Sequence, residues 1–289
     1  MVDDYVELRT SPVVPAVSPV RIRCRDTGSG DGMPIVFLHG AWGYEIYPFD
    51  RQAAALQHHR IVIPDRTGYG ASQPIDVQLP GFHQRAAEET LAMLDALAIP
   101  QAILWGHSDG AVTALRVGLT RPAAVAAIVS EASHYFRRKP ASRAFFETMR
   151  DRPEDFGERI VSTLERDHGA RWRRLISTNG AAWLAIAHEA ESGTDDLYDG
   201  RLPALEVPTL LVHGGRDPRT EPGELEAMTQ ALDRRSAGVR ARSRVLLLPD
   251  GAHSPHSERA TADAVTQAAL EFVQSAFQSA IRNPQSAMR

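Results

Sequence analysis

Six short, almost wholly apolar runs, spaced by segments of helical period, constrain this chain more than any other feature. They cover residues 35–38, 61–63, 102–105, 125–129, 209–212 and 245–248. They close on His39-Gly40, Pro64-Asp65, Gly106, Ser130-Glu131, His213-Gly214-Gly215 and Pro249-Asp250-Gly251. Runs of this kind suit strands buried on both faces, as in a parallel sheet covered by helices. Between them, residues 86–97 place Ala87, Leu91, Leu94 and Ala98 on one helical face, and Leu225, Met228 and Leu232 repeat the spacing. The last such stripe is Val265, Leu270, Phe272, Val273 and Phe277. Alternating strand and helix predicts an α/β fold with right-handed crossovers.

Two extended segments, near residues 5–8 and 20–25, precede this series, and Pro12, Pro15 and Pro19 exclude a helix between them. Residues 134–202 interrupt it with amphipathic helical patterns and no strand-like run. The expected organisation is therefore a core of residues 1–132, an inserted helical cap of 133–202, and the rest of the core in 203–289. A frayed tail is expected after Ile281.

Charge excludes some functions. A net charge of −4 gives no footprint for nucleic acid or an anionic membrane. All basic residues but Lys139 are arginine, scattered among acids, which marks a compositional bias and not a phosphate site. Cys24 is the only cysteine, so no intrachain disulfide can form, and it reads as a space-filling strand residue. The first ten residues carry acids where a signal peptide needs bases, and no apolar run approaches the roughly 18 residues of a membrane span. A cytoplasmic protein is the expectation. The pairs His58-His59 and His253…His256 lack the spacing of a zinc motif, and the first, at a helix end, is expected to be solvent-exposed. No cofactor is implied.

The polar residues of interest lie at the carboxyl ends of the strands, where open α/β sheets bind ligands. Gly106-His107-Ser108-Asp109-Gly110 follows a strand and precedes the helical segment 111–119, the setting of a nucleophile elbow. Serine needs a base, and the base an orienting acid. Asp217 follows the run 209–212 and His253 follows 245–248, giving the chain order serine, acid, histidine. His256 is a rival base, expected to start the last helix, and Glu131 a rival acid. Asp65, ahead of Gly68 and Gly70, is expected to hold a turn. The backbone N–H groups of Asp109 and Ala41 are the candidate donors to a developing oxyanion. The Asp109 carboxylate should point away from that charge or be hydrogen-bonded. Trp42, Glu131 and His134 are candidate pocket residues.

His39-Gly40, Asp65-x-x-Gly68-x-Gly70, Gly106-x-Ser108-x-Gly110, Asp217 and His253 together resemble the α/β-hydrolase superfamily over nearly the whole chain. The Gly-His-Ser-Asp-Gly elbow is similar to that of a bacterial subgroup of its serine-nucleophile branch. The resemblance implies a mostly parallel sheet of about eight strands with a helical lid. It also disfavours alkyl-enzyme chemistry, because haloalkane dehalogenases and epoxide hydrolases carry aspartate where Ser108 stands. The expected function is hydrolysis of a small or medium carboxylic ester, or a related acyl compound, through an acyl-enzyme. Three alternatives stay open: C–C hydrolysis of a vinylogous diketone, with Tyr135, Arg137 and Arg138 as candidates for an anionic tail; a non-catalytic ligand receptor; and a lyase or cofactor-free oxygenase. Fold does not choose among them.

Overall fold

The computed structural model describes residues 2–193 and 195–282; the tail expected to fray lies almost wholly outside them. The six apolar runs form the parallel strands β3 (Gly32–Leu38), β4 (His59–Pro64), β5 (Ala102–His107), β6 (Val125–Glu131), β7 (Thr209–Gly214) and β8 (Arg244–Leu248). Ahead of them, β1 (Val2–Leu8) pairs antiparallel with β2 (Val20–Asp26), which pairs antiparallel with β4. The eight strands make one sheet in the order β1-β2-β4-β3-β5-β6-β7-β8. The chain steps from β3 out to β4, then crosses back to β5 on the other side. That reversal opens a crevice at the carboxyl ends of β3 and β5.

Strand periodicity sends alternate side chains to opposite faces. Ile35, Phe37, Ile61, Ile63, Ile103 and Trp105 pack with Ala53 of α1 (Asp50–Ala55) and with Val265 and Phe272 of α9 (Ala262–Arg282). Val36, Leu38, Val62 and Leu104 pack with Leu94 of α2 (Phe82–Ala96), Val112 of α3 (Asp109–Thr120) and Met228 of α7 (Glu224–Asp233). Each such apolar side chain stabilises the fold by about 1.5–3 kcal/mol, so both layers grip the central strands. A short helix, α8 (Ala237–Ala241), leads into β8. The rule of two buried faces fails at β8. It is an edge strand, and Val245 and Leu247 are 57% and 51% exposed while Leu246 and Leu248 pack towards the α9 layer.

Between β6 and β7 the chain builds α4 (Arg143–Asp151), α5 (Glu158–His168) and α6 (Trp172–Glu189), with one isolated bridge, Phe136 to Asp196. Three local expectations are corrected. Ala98 lies past the end of α2, in a left-handed conformation with φ 53°. His59 is not exposed: it opens β4, and its Nδ1–H donates to the Met33 carbonyl at 2.8 Å, so only His58 faces solvent. His256 precedes α9 by several residues. Cys24 is buried in β2 as expected, and burial pushes its thiol up to about 12. Among the described residues, no helix is long and apolar enough to cross a membrane.

Candidate active site

Ser108 sits at the turn from β5 into α3 with φ 55° and ψ −120°, a conformation that costs a non-glycine residue about 1–3 kcal/mol. The surroundings hold it there. Its N–H donates to Glu131 O at 2.9 Å, and its carbonyl accepts from Ala111 N–H at 2.9 Å and Val112 N–H at 3.1 Å. The flanking glycines are required by close approach. A Cβ at Gly106 would lie 2.2 Å from Gly110 O, and one at Gly110 would lie 2.0 Å from Leu38 O. Strand and helix thus cross too tightly for any side chain, which pushes the serine hydroxyl out over the sheet edge.

His253 and Asp217 arrive from the loops after β8 and β7. His253 Nε2 lies 3.0 Å from Ser108 Oγ, and Nδ1 lies 2.8 Å from Asp217 Oδ2. In the productive tautomer Ser108 Oγ–H donates to Nε2 and Nδ1–H donates to the carboxylate. Burial would raise the Asp217 pKa, but the charge and hydrogen bond of His253, with the Arg219 N–H at 2.9 Å on Oδ1, hold it well below the usual carboxylate range. Burial, then the Arg219 charge, lower the His253 pKa below its ordinary value despite Asp217. The ring is therefore neutral near pH 7 and able to accept a proton. His107, the residue before Ser108, shares its Nε2 between the His253 carbonyl at 2.9 Å and Ser254 Oγ at 3.0 Å, tying the histidine loop to the turn that holds Ser108.

The rivals are engaged elsewhere. Glu131 Oε1 accepts from His256 N–H and Nδ1, both at 2.8 Å, and Oε2 accepts from Trp105 Nε1 at 3.3 Å. His256 stacks on Phe49 at 4.3 Å and turns Nε2 to the Tyr47 carbonyl at 3.1 Å, so neither ring nitrogen faces Ser108. Glu131 is thus a buried packing partner and not part of the cavity wall, contrary to its reading as a pocket residue. Asp65 pairs with Arg23 at 3.1 Å and Arg25 at 2.7 Å and accepts from Ala71 N–H, the turn-holding role expected of it.

Asp109 is wholly buried and its carboxylate faces away from the serine. Oδ1 accepts from His83 Nε2 at 3.0 Å and Trp183 Nε1 at 3.1 Å, and Oδ2 from Asn179 Nδ2 at 3.3 Å. Burial pushes its pKa up, but the His83 hydrogen bond and neighbouring charges outweigh that and lower it. Asp109 is also the first residue of α3, whose opening N–H groups have no partner inside the helix. Across the crevice, the Gly40 carbonyl accepts from Arg66 Nη2 at 2.9 Å and His39 Nδ1–H at 2.8 Å. In a trans peptide the next N–H points the opposite way, so these bonds aim the Ala41 N–H away from Arg66.

A cavity opens onto Ser108 and His253. Its wall includes Ala41, Trp42, Tyr47, His134, Phe145, Phe146, Met149, Trp183 and Arg219. Trp42 lies on this wall, stacked on Phe145 at 5.7 Å. His134 Nε2 lies 3.4 Å from Ser108 Oγ and its ring stacks 5.7 Å from His253. That contact is longer than the one from His253, and no carboxylate among the described residues orients the ring. Burial and then the Lys139 charge push its pKa well below the ordinary histidine value. Arg137 and Arg138 do not reach the cavity: Arg137 pairs with Asp199, and Arg138 Nη2 donates to the Ala190 carbonyl at 2.8 Å. Tyr135 is also absent from the wall. Sequence reasoning missed Arg219, which lines the cavity, and Asn179, Trp183 and His83, which hold Asp109. Among the described residues, no group of three or more His, Cys, Asp or Glu is placed to hold a metal ion.

Residues 35–267 match the model of the alpha/beta hydrolase family. The chain is 27% identical over 245 residues to the serine hydrolase BPHL of Mus musculus, covering 83% of this chain and 79% of that one. Among solved structures, an esterase from Thermogutta terrifontis superposes with a TM-score of 0.68 at 20% identity, covering 95% of this chain and 99% of that one. The 2-hydroxy-6-oxo-6-phenylhexa-2,4-dienoate hydrolase of Rhodococcus sp. strain RHA1 gives 0.64 at 18%, covering 94% and 100%. With the family model spanning most of the chain and the sheet in the order described, this protein belongs to the alpha/beta hydrolase family and is an enzyme of the hydrolase class.

Proposed function

We propose that the chain is a serine hydrolase that cleaves a small or medium carboxylic ester, or a related acyl compound, through an acyl-enzyme. The observation that carries this reading is the continuous hydrogen-bonded line Asp217–His253–Ser108, with contacts of 2.8 and 3.0 Å. Ser108 Oγ attacks the substrate carbonyl as its proton passes to His253 Nε2, and Asp217 holds the imidazolium that forms. The tetrahedral oxyanion takes hydrogen bonds from the N–H groups of Asp109 and Ala41. On collapse, Nε2 returns the proton to the leaving alcohol. Water, activated by the same histidine, then releases the acid and restores Ser108.

The segment 133–202 acts as the cap over this site. Phe145, Phe146, Met149 and Trp183 of α4 and α6 line the cavity, and the bonds from Asn179 and Trp183 to Asp109 anchor α6 at the nucleophile. C–C hydrolysis loses the support sought for it in Arg137 and Arg138.

A fluorophosphonate probe tests the reading. The Ser108 peptide should be labelled, and labelling should vanish in Ser108→Ala. A folded protein that stays unlabelled and turns over no ester, but is thermally stabilised by small acyl ligands, would place the chain with binding proteins instead.

A further inference from the structure

Among the described residues, Arg219 is the one arginine or lysine on the wall of the cavity at Ser108. Its backbone is fixed at both ends: the N–H donates to Asp217 Oδ1 at 2.9 Å, and the carbonyl accepts from Lys139 Nζ at 3.0 Å. Lys139, the chain's sole lysine, is itself buried in an ion pair with Glu224 Oε1 at 2.6 Å, so the clamp is rigid. The guanidinium rests on the face of Phe145 at 4.2 Å and near that of Trp42 at 5.6 Å. Among the described residues, no carboxylate lies within 4.0 Å of it and no acceptor takes its N–H donors. The other charges nearby are committed. Asp217 is bound to His253, Glu224 to Lys139, and Glu221 accepts from Ala141 N–H at 2.9 Å and Ser142 N–H at 3.0 Å. Among the described residues, the one carboxylate on the cavity wall, Asp109, has both oxygens occupied by His83, Trp183 and Asn179.

A preorganised guanidinium with an open fork, held on aromatic faces beside a nucleophile, matches the planar geometry of a carboxylate. We propose that the substrates of this hydrolase carry a carboxylate that docks on Arg219 while the scissile carbonyl lies at Ser108. The proposal rests on the serine-hydrolase reading and names the substrate class that reading leaves open. The anion neutralises the uncompensated Arg219 charge, and Trp42 and Phe145 cover the apolar part of the substrate next to it.

Two substrate pairs test it: phenyl hemiadipate against phenyl hexanoate for an anion on the acyl side, and 4-carboxyphenyl butyrate against phenyl butyrate for one on the alcohol side. The readout is the kcat/KM ratio of anionic to neutral ester in wild type divided by the same ratio in Arg219→Gln, in which intrinsic reactivity cancels. Losing a charge-assisted hydrogen bond should lower the ratio by about 10- to 100-fold for one pair. A merely structural role for Arg219 would slow both members alike and leave the ratio unmoved. Binding of hexanoate to Ser108→Ala, followed by calorimetry, gives a readout free of turnover. It should weaken by a similar factor in Ser108→Ala/Arg219→Gln. Unchanged ratios for both pairs, together with hexanoate binding that ignores Arg219, would overturn the anion site. Arg219-dependent binding without turnover of any ester would instead overturn the hydrolase reading and keep the anion site.

Discussion

Replacing Asp217 by asparagine, beside Glu131 by glutamine, separates the acid that orients His253 from the one that packs against the sheet. Asp217 Oδ2 accepts from His253 Nδ1 at 2.8 Å, whereas the Glu131 carboxylate serves His256 and Trp105. An amide at position 217 presents an N–H to Nδ1 and favours the tautomer with its proton on Nε2. That ring donates towards Ser108 Oγ where it must accept. The loss expected of a triad with its acid neutralised is about 10,000-fold in kcat, equivalent to roughly 5.4 kcal/mol of transition-state stabilisation. Glu131→Gln loses fold stability first, because the carboxylate is fully buried among its donors. Per folded molecule it should lose less than about tenfold in kcat, since the group touches no reacting atom. The assay is hydrolysis of a 4-nitrophenyl ester, with folded enzyme counted by circular dichroism. A loss under about tenfold in Asp217→Asn, or an equal loss per folded molecule in Glu131→Gln, would refute the assignment.

Three further outcomes follow from the same contacts. Because burial and Arg219 lower the His253 pKa, the acid limb of the kcat/KM–pH profile should fall below the ordinary histidine value of 6.5, and Arg219→Gln should move it to higher pH. Asp109→Ala strands the donors of His83, Asn179 and Trp183, so denaturant unfolding should show a loss of about 3–5 kcal/mol; a change under about 1 kcal/mol would mean that α6 is not anchored there. Lys139→Met breaks a buried ion pair and leaves Glu224 unpaired, costing about 3 kcal/mol in the same assay, the low end because backbone N–H groups of Tyr135, Phe136 and Glu221 still reach that carboxylate.

The fold and the line Ser108–His253–Asp217 were legible because their signals are local. An apolar run and the glycines after it act within a few residues, and chain order alone pairs serine, acid and histidine. Strand position in the sheet is not local, so 245–248 read like its neighbours although β8 is an edge with Val245 and Leu247 half exposed. The same limit hid the partners of Asp109: Asn179 and Trp183 lie 70 and 74 residues away on α6, and nothing near either residue signals the contact. It also put the anion-binding expectation on Arg137 and Arg138, which precede α4 but turn to Asp199 and Ala190. Arg219 had one available cue, its place two residues after the acid. That its guanidinium has no carboxylate partner among the described residues could be seen only once Lys139, Glu221 and Glu224 were found paired with others.

The central claim is that Ser108 Oγ carries the acyl group between the two halves of the reaction. Acid-quenching the enzyme with an aryl ester in the first turnovers and measuring intact mass tests this most directly. The account predicts an increase equal to the acyl group, mapped to the peptide containing Ser108 and absent in Ser108→Ala. Ester turnover that persists in Ser108→Ala, or an acyl group mapped to any other side chain, would contradict it.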